Sequence, residues 1–404
     1  MPQQTGQRLV ASALLLVALL VCMQARADDV ERRSPRAEAT LMPRATSWAY
    51  REAGAVRGIT IGPIESTLHP SVGYGTRAGF EALLEARSMG ANWVALTPFG
   101  RVWDLNGSGV DLRFEAPVKS NTRDIERSIE HAHALGLKVM LVPHLWVESG
   151  EWRALINPAD DEAWARWTRS YRRFLLHWTD LAARTGCEML SVGVELRSWV
   201  TTARVASFSP LIDEVRSRYR GLLTYSANWD DAAYTMIWNQ LDVIGVNAFF
   251  PLTDRKNANF DALLAGGYKA AEQLHALATE WDKPVLLTEM GYTTRSDPAL
   301  RPWEWPEALS NVTLDQEAQA MAYRALLAPL VDEPWCAGFF VWRTYADPND
   351  VSQEPEWGFS PRGKLAELVL RDAFATPWAS DPHRPWLNVF AAQRARTPSI
   401  FAWH

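Results

Sequence analysis

Two short apolar runs in this chain each end in a glutamate. One is Ser191-Val-Gly-Val-Glu195, within Glu188–Trp199. The other is Leu287-Thr-Glu-Met-Gly291, within Lys283–Tyr292. Four or five apolar residues bounded by turn signals read as a buried strand. An ionised carboxylate at the end of such a strand is costly unless it is paired or put to use. Taken singly, either glutamate could be a structural ion pair or a strand cap. Two carboxylates converging in one cleft are the minimal equipment for glycoside hydrolysis.

Whether they converge depends on the elements that carry them. Alternation along the first run sends Leu190, Val192 and Val194 one way and Ser191, Gly193 and Glu195 the other. In the second run Glu289 shares its face with Val285 and Leu287. Both carboxylates are therefore expected to point inward.

Six more strands are expected around these two: Val56–Ile61, Ala91–Thr97, Lys138–Pro143, Leu222–Ala227, Val243–Phe250 and Ala337–Trp342. A helical pattern follows each strand. Examples are Arg77–Ser88, Thr122–Leu135, Asp161–Arg184, Leu211–Arg220, Ala262–Trp281 and Pro361–Phe374, with a capping box at Thr313-Leu-Asp-Gln316. Eight alternating units predict a single-domain α/β fold, a (β/α)8 TIM barrel. An open doubly wound sheet is the alternative, but no glycine-rich phosphate loop follows the first strand. Glu195 and Glu289 stand 94 residues apart, about three βα units of ~30 residues each. That puts them at the C-terminal ends of strands four and seven, on the face where such barrels do chemistry.

Composition narrows the classes. The chain has 404 residues, 48% hydrophobic and 22% charged, with a formal charge of −6. It is globular, and no basic block is long enough to grip a nucleic acid. Residues 1–27 read as a signal peptide, with Arg8 in the n-region, an apolar Leu9–Met23 and an Ala25-Arg26-Ala27 cleavage site. Export is expected, with no membrane segment left after cleavage. Residues 28–55 read as a flexible leader, 56–376 as the barrel and 377–404 as a C-terminal tail. Cys187 and Cys336, on opposite sides of the barrel, are expected as separate buried thiols. No His or Cys cluster has ligand spacing, so neither metal nor cofactor is expected. The sequence does not fix the oligomeric state.

The chain resembles the clan A glycoside hydrolases, and within them family 113, whose known members are retaining β-mannanases. The likeness is carried in order by Arg57-Gly-Ile-Thr-Ile, Met89-Gly-Ala-Asn-Trp-Val-Ala-Leu, Val142-Pro-His-Leu-Trp146, the two glutamate runs and Gly358-Phe-Ser-Pro-Arg-Gly-Lys364. It implies an acid/base at Glu195, a nucleophile at Glu289 and a β-linked carbohydrate substrate, mannan being favoured. A barrel that binds glycans without cutting them, and a hydrolase of another β-glycan, are the rivals. One departure is plain: many clan A enzymes carry Asn directly before the acid/base, and here the residue is Val194.

Aromatic faces pack on the apolar faces of sugars. Of 20 tryptophans, Trp103, Trp146, Trp199, Trp229, Trp303, Trp305, Trp342 and Trp357 follow strands on the expected active face. Trp342 is expected as the floor under the cleaved sugar. Trp103, His144, Trp146, Trp229, Asn247, Tyr292 and Trp342 are the expected substrate-binding residues. Asp104, Glu148, Asp230 and Asp350 lie in rim loops where they could bond hydroxyls. The carboxyl oxygens of Glu195 and Glu289 are expected within about 6 Å, at the retaining end of the range. Glu195 is expected to be the carboxyl pushed upward in pKa.

Overall fold

The computed structural model describes residues 54–62, 72–114, 116–348 and 354–381. The expected signal peptide, nearly all of the expected leader, the residues beyond 381 and Asp350 fall outside them. Eight parallel strands close into a barrel in the order β1 (Val56–Gly62), β10 (Cys336–Tyr345), β9 (Val285–Met290), β8 (Ile244–Asn247), β7 (Leu222–Asn228), β6 (Met189–Val194), β4 (Lys138–Leu141) and β2 (Trp93–Leu96). All eight expected strands are present. The helices are α1 (Arg77–Met89), α2 (Val118–Ala134), α3 (Asp161–Thr185), α4 (Arg197–Val200), α5 (Val205–Arg218), α6 (Phe260–Trp281), α7 (Gln316–Leu327) and α8 (Leu365–Ala375).

Two further strands came as a surprise. β3 (Phe99–Val102) and β5 (His144–Val147) form a small parallel pair above β2 and β4. In both places the barrel strand stops just before a proline, Pro98 or Pro143. Proline cannot donate to the ladder, so the strand breaks there and pairing resumes beyond it. Phe99 then lies opposite His144. His144 is therefore carried on a ladder.

Side chains fill the barrel interior. Val56, Trp93, Ala95, Met140, Val142, Met189, Val194, Leu222, Val243, Leu286, Ala337 and Phe340 form that inner cluster. Trp93 and Phe340 meet edge to face at 6.4 Å. Gly58 makes room for them, since a Cβ there would lie 2.2 Å from the Phe340 ring. A methyl group at this position would force Phe340 out of its rotamer.

The inner cluster corrects the expected alternation. Leu286 points inward, whereas Val285 and Leu287 pack on the helix side. Val194 also points inward, against the expected phase. Register shifts explain both. One lies between Ser191 and Val194 on β6, and one between Val246 and Asn247 where β8 meets β9. Each irregularity resets the alternation just before a glutamate.

Helix ends differ in detail. The N-cap of α7 is Asp315, whose side chain accepts from the Ala318 N–H, not Thr313 of the expected box. A carboxylate there also meets the positive end of the helix dipole. α5 begins at Val205 and keeps Pro210 inside it, rather than starting after that proline. α3 matches its expectation, capped by Asp160 and closed by Gly186 at φ 70. Cys187 and Cys336 are separate buried thiols.

The chain stays ordered against the barrel past residue 376. Trp378 packs on Phe339 at 5.5 Å between ring centroids. Asp381 accepts from the Ala55 N–H and takes both arms of the Arg57 guanidinium, at 3.0 and 2.6 Å. The segments around residues 55 and 381 are thus tied together. Both partners are mostly buried, at 12% and 16% side-chain exposure. Asp381→Ala would strand Arg57 and should cost about 2–3 kcal/mol. Urea unfolding at pH 7 checks this. The pair holds the Asp381 pKa below its usual value. Its contribution should therefore be present above the unfolded carboxylate pKa and be lost as pH falls through the lower folded value.

Candidate active site

Glu195 directly follows β6 and adopts φ 51, a left-handed conformation in a residue that is not glycine. That conformation costs roughly 1–2 kcal/mol. The neighbouring strand holds it in place. The Glu195 N–H donates to the Ser226 carbonyl at 2.9 Å, and the Leu196 N–H donates to the Tyr225 hydroxyl at 2.6 Å. The side chain is thereby turned over the mouth of the barrel.

Three donors meet the Glu195 carboxyl. Trp152 Nε1 and Arg153 Nη1 both reach Oε2 at 2.7 Å. Asn247 Nδ2 reaches Oε1 at 3.0 Å. Asn247 ends β8 and is fully buried. Its Oδ1 accepts from the Thr288 hydroxyl at 2.9 Å, which turns the amide nitrogen toward the carboxyls. This amide therefore does more than stabilise a turn. Hydrogen bonding from it also favours the charged form of Glu289.

Glu289 enters from β9, and His144 Nε2 lies 3.2 Å from its Oε1. Burial, then the cations Arg153 and Arg343, hold His144 well below its ordinary pKa, so the ring is neutral. The contact is a hydrogen bond from a neutral imidazole rather than an ion pair. Glu289 is pushed well above the usual carboxylate range, first by burial and then by the negative charge of Glu195. Arg153, Arg343 and Asn247 oppose that push. The net push on Glu289 is thus upward. The neighbours differ: an arginine is hydrogen-bonded to Glu195, whereas His144 and Asn247, both uncharged, are the nearest partners of Glu289.

Trp342 ends the inward-facing row that contains Phe340. Its ring lies 5.8 Å from His144 and packs with Phe249 and Phe359. Arg343 lies over the Trp342, Trp305 and Tyr345 rings. On one side of the mouth His144, Phe99, Phe114 and Trp146 follow one another as ring contacts of 5.0, 5.2 and 6.3 Å. Arg101 joins Trp103 to that row. On the other side Trp229 stacks with Trp303 at 5.8 Å. Trp103, Trp146, Trp303 and Trp305 are exposed.

Several expected residues fall elsewhere. Tyr292 is fully buried against Tyr323 of α7, facing the helices. It follows Glu289 by three residues and so takes the opposite face to the carboxylate. Trp199 is buried too, among Trp164, Trp167, Tyr171 and Phe208. Glu148 pairs with Arg101, and Asp230 with Arg197. Asp104 stabilises its own turn by accepting from the Asn106 N–H.

Trp152 and Arg153 were missed. They sit in a rim loop beyond β5, where nothing in their spacing signals a site. Among the described residues no group of three His, Cys, Asp or Glu side chains is gathered to hold a metal ion.

A closed parallel barrel with two buried carboxylates at its C-terminal mouth, ringed by tryptophans, defines the barrel-type glycosidases. The family model for glycoside hydrolase family 113 matches residues 71–360, and the chain belongs to that family. It is a glycoside hydrolase. The family 113 β-mannanase of Alicyclobacillus acidocaldarius, solved in complex with ManMIm, is 27% identical with a TM-score of 0.69. That alignment covers 81% of this chain and 99% of the other. A complex of a family 113 β-1,4-mannanase is 26% identical with a TM-score of 0.68, over 80% of this chain and 99% of that one. A GH5_18 protein of Bifidobacterium longum subsp. infantis shares the fold at 13% identity and a TM-score of 0.52, over 80% of each chain. No curated protein sequence matches.

The raised Glu289 gives a signed prediction. A carboxyl whose folded pKa lies above its unfolded value binds more protons when folded, so stability falls as pH rises through that window. Glu289→Gln removes the penalty. It should melt above the parent at pH 7, by about 1–3 °C. The gain should shrink toward pH 4.5, and melting curves across that range check it.

Proposed function

We propose that this chain is an exported, retaining β-mannanase that works by double displacement. Glu289 attacks the anomeric carbon while Glu195 protonates the departing oxygen. Water, deprotonated by Glu195, then releases the glycosyl group from Glu289. The observation that carries the reading is the pair of buried carboxyls at the mouth of the barrel, Glu195 held by Asn247 and Glu289 by His144. Family membership and the β-1,4-mannanases it resembles support the substrate class.

The two carboxyls sit in different surroundings. A buried carboxylate with no cation in direct contact is poorly solvated in the ground state. Positive charge developing at the sugar in front of Glu289 supplies what burial withholds, so stabilisation is greatest in the transition state. Glu195 must hold charge after giving up its proton, and Arg153 is in place to balance it. Val194, where many clan A enzymes have Asn, faces the barrel core. Asn247 and His144, each within hydrogen-bond reach of a carboxyl, are then the candidates for holding sugar hydroxyls. Trp342 supplies the floor, and Trp103, Trp146 and Trp229 the flanking faces.

Reducing-sugar release from a panel of mannan, glucomannan, xylan and β-glucan tests the substrate, with mannan expected to be cut fastest. Glu289→Ala should lower turnover by about 10⁴-fold or more on every substrate. Glu195→Ala should lose about 10²–10⁴-fold on polysaccharide. With a dinitrophenyl glycoside it should keep its first step, and azide should speed the second. Equal loss with both leaving groups would refute these roles. Mass spectrometry of the exported protein should find Asp28 as its first residue, and an intact Met1 would refute export.

A further inference from the structure

We propose that Trp152 and Arg153 are positioning residues that decide which oxygen of Glu195 carries the transferable proton. The proposal rests on the reading of Glu195 as the acid/base.

The argument starts from lone pairs. Trp152 Nε1–H and an Arg153 Nη1–H both donate to Oε2 at 2.7 Å. A carboxyl oxygen accepting two such bonds has no free lone pair in its plane for a proton. The proton must therefore ride on Oε1, the oxygen beside Asn247 and toward Glu289. Oε1 is then the atom that gives the proton to the leaving oxygen, and the atom that takes one from water in the second step. Oε2 meanwhile stays bonded to a cation, so negative charge is already balanced when the proton leaves.

The two donors are themselves fixed. Arg153 Nε donates to the Leu145 carbonyl of β5 at 2.9 Å. The Arg197 guanidinium covers the Trp152 ring at 4.7 Å. Arg197 opens α4, two residues after Glu195. It is anchored by Asp230 at 2.8 Å and by Asp231, both in the loop after β7. Asn228 Nδ2 donates to Asp230 in turn, at 2.6 Å. Loops from three adjacent barrel strands thus converge to hold one carboxyl oxygen. A long flexible pair on the surface would lose most of its value to side-chain entropy, but Arg153 is only 19% exposed.

The charged and titratable groups that bear on Glu195 are few. Arg153 bears on it from the loop after β5, Glu289 from β9, Asp231 from the loop after β7 and Tyr225 from β7. Arg197 is already engaged by its two aspartates. Arg153 is therefore the cation in direct contact with the carboxyl, and removing it should make Glu195 hold its proton to higher pH.

The test is the pH profile of kcat/KM, whose alkaline limb reports the essential acid of the free enzyme. It is measured with manno-oligosaccharide, whose leaving group needs the proton, and a dinitrophenyl β-mannobioside is used to follow the burst. Arg153→Met should move the alkaline limb upward by about 1–2 pH units. It should also slow release of the glycosyl group, visible as a larger burst of dinitrophenol. Arg153→Lys keeps the charge and should restore the limb, though not the full rate. Trp152→Phe leaves a ring under Arg197 and removes only the N–H. It should move the limb upward by roughly 0.5–1 unit. This variant decides the matter if Arg153→Met fails to fold.

A merely structural role would lower kcat at every pH and leave the limb in place. An unmoved limb in folded Arg153→Met or in Trp152→Phe overturns the proposal. Glu195→Ala run in parallel separates the two readings. If it loses the alkaline limb while the Arg153 and Trp152 variants leave theirs unmoved, the positioning claim fails alone. If it keeps the limb, the acid/base reading has failed first.

Discussion

Two carboxylates that must be close, buried and different in role are the constraint on which this structure depends. Each would be expensive if left unpaired in so dry a place. The chain meets that cost with different partners for each. Glu195 takes a cation and an indole N–H on one oxygen and an amide on the other. Glu289 takes a neutral imidazole, with cations further off. The shared amide of Asn247 sets the two in register. Around this centre the barrel is less a container than a set of eight anchoring points. Five of those points, β4 with its β5 extension and β6 to β9, contribute a group that touches one of the carboxyls or holds a group that does.

Small departures from regularity do most of the aiming. Pro98 and Pro143 break two strands and let a second ladder form, which brings His144 to Glu289. Register shifts on β6 and at β8–β9 reset the side-chain phase just before each glutamate. The left-handed Glu195 is held by backbone bonds to Ser226 and Tyr225. Such local costs are tolerated where the surroundings over-determine them. Here the surroundings are a packed interior of Trp93, Phe340 and their neighbours, made possible by Gly58.

Much of this was legible in the sequence. Strand positions followed from apolar runs, and the two carboxylates from their place at strand ends. Asn247 and Trp342 followed in the same way, because each lies at or near the end of an expected strand. Tyr292 was misplaced because it stands an odd three residues after Glu289 and so packs on the opposite face. The faces of Val194 and Leu286 were misread because a bulge leaves no trace in a hydrophobic pattern. Trp152 and Arg153 were invisible for another reason. Their contact with Glu195 is set by a loop folding back across the mouth, and no period or spacing encodes that. The raised proton affinity of Glu289 comes first from its burial and then from the charge of Glu195, so it too had to wait for the structure.

The most direct measurement is covalent trapping with an activated 2-deoxy-2-fluoro-mannosyl substrate, followed by mass spectrometry of the labelled peptide. The substrate should form the glycosyl-enzyme quickly and release it slowly. The account predicts one label per chain, on Glu289 within the Lys283–Tyr292 stretch, and no label in Glu289→Gln. A label on Glu195, or steady turnover that never passes through a labelled enzyme, would contradict it.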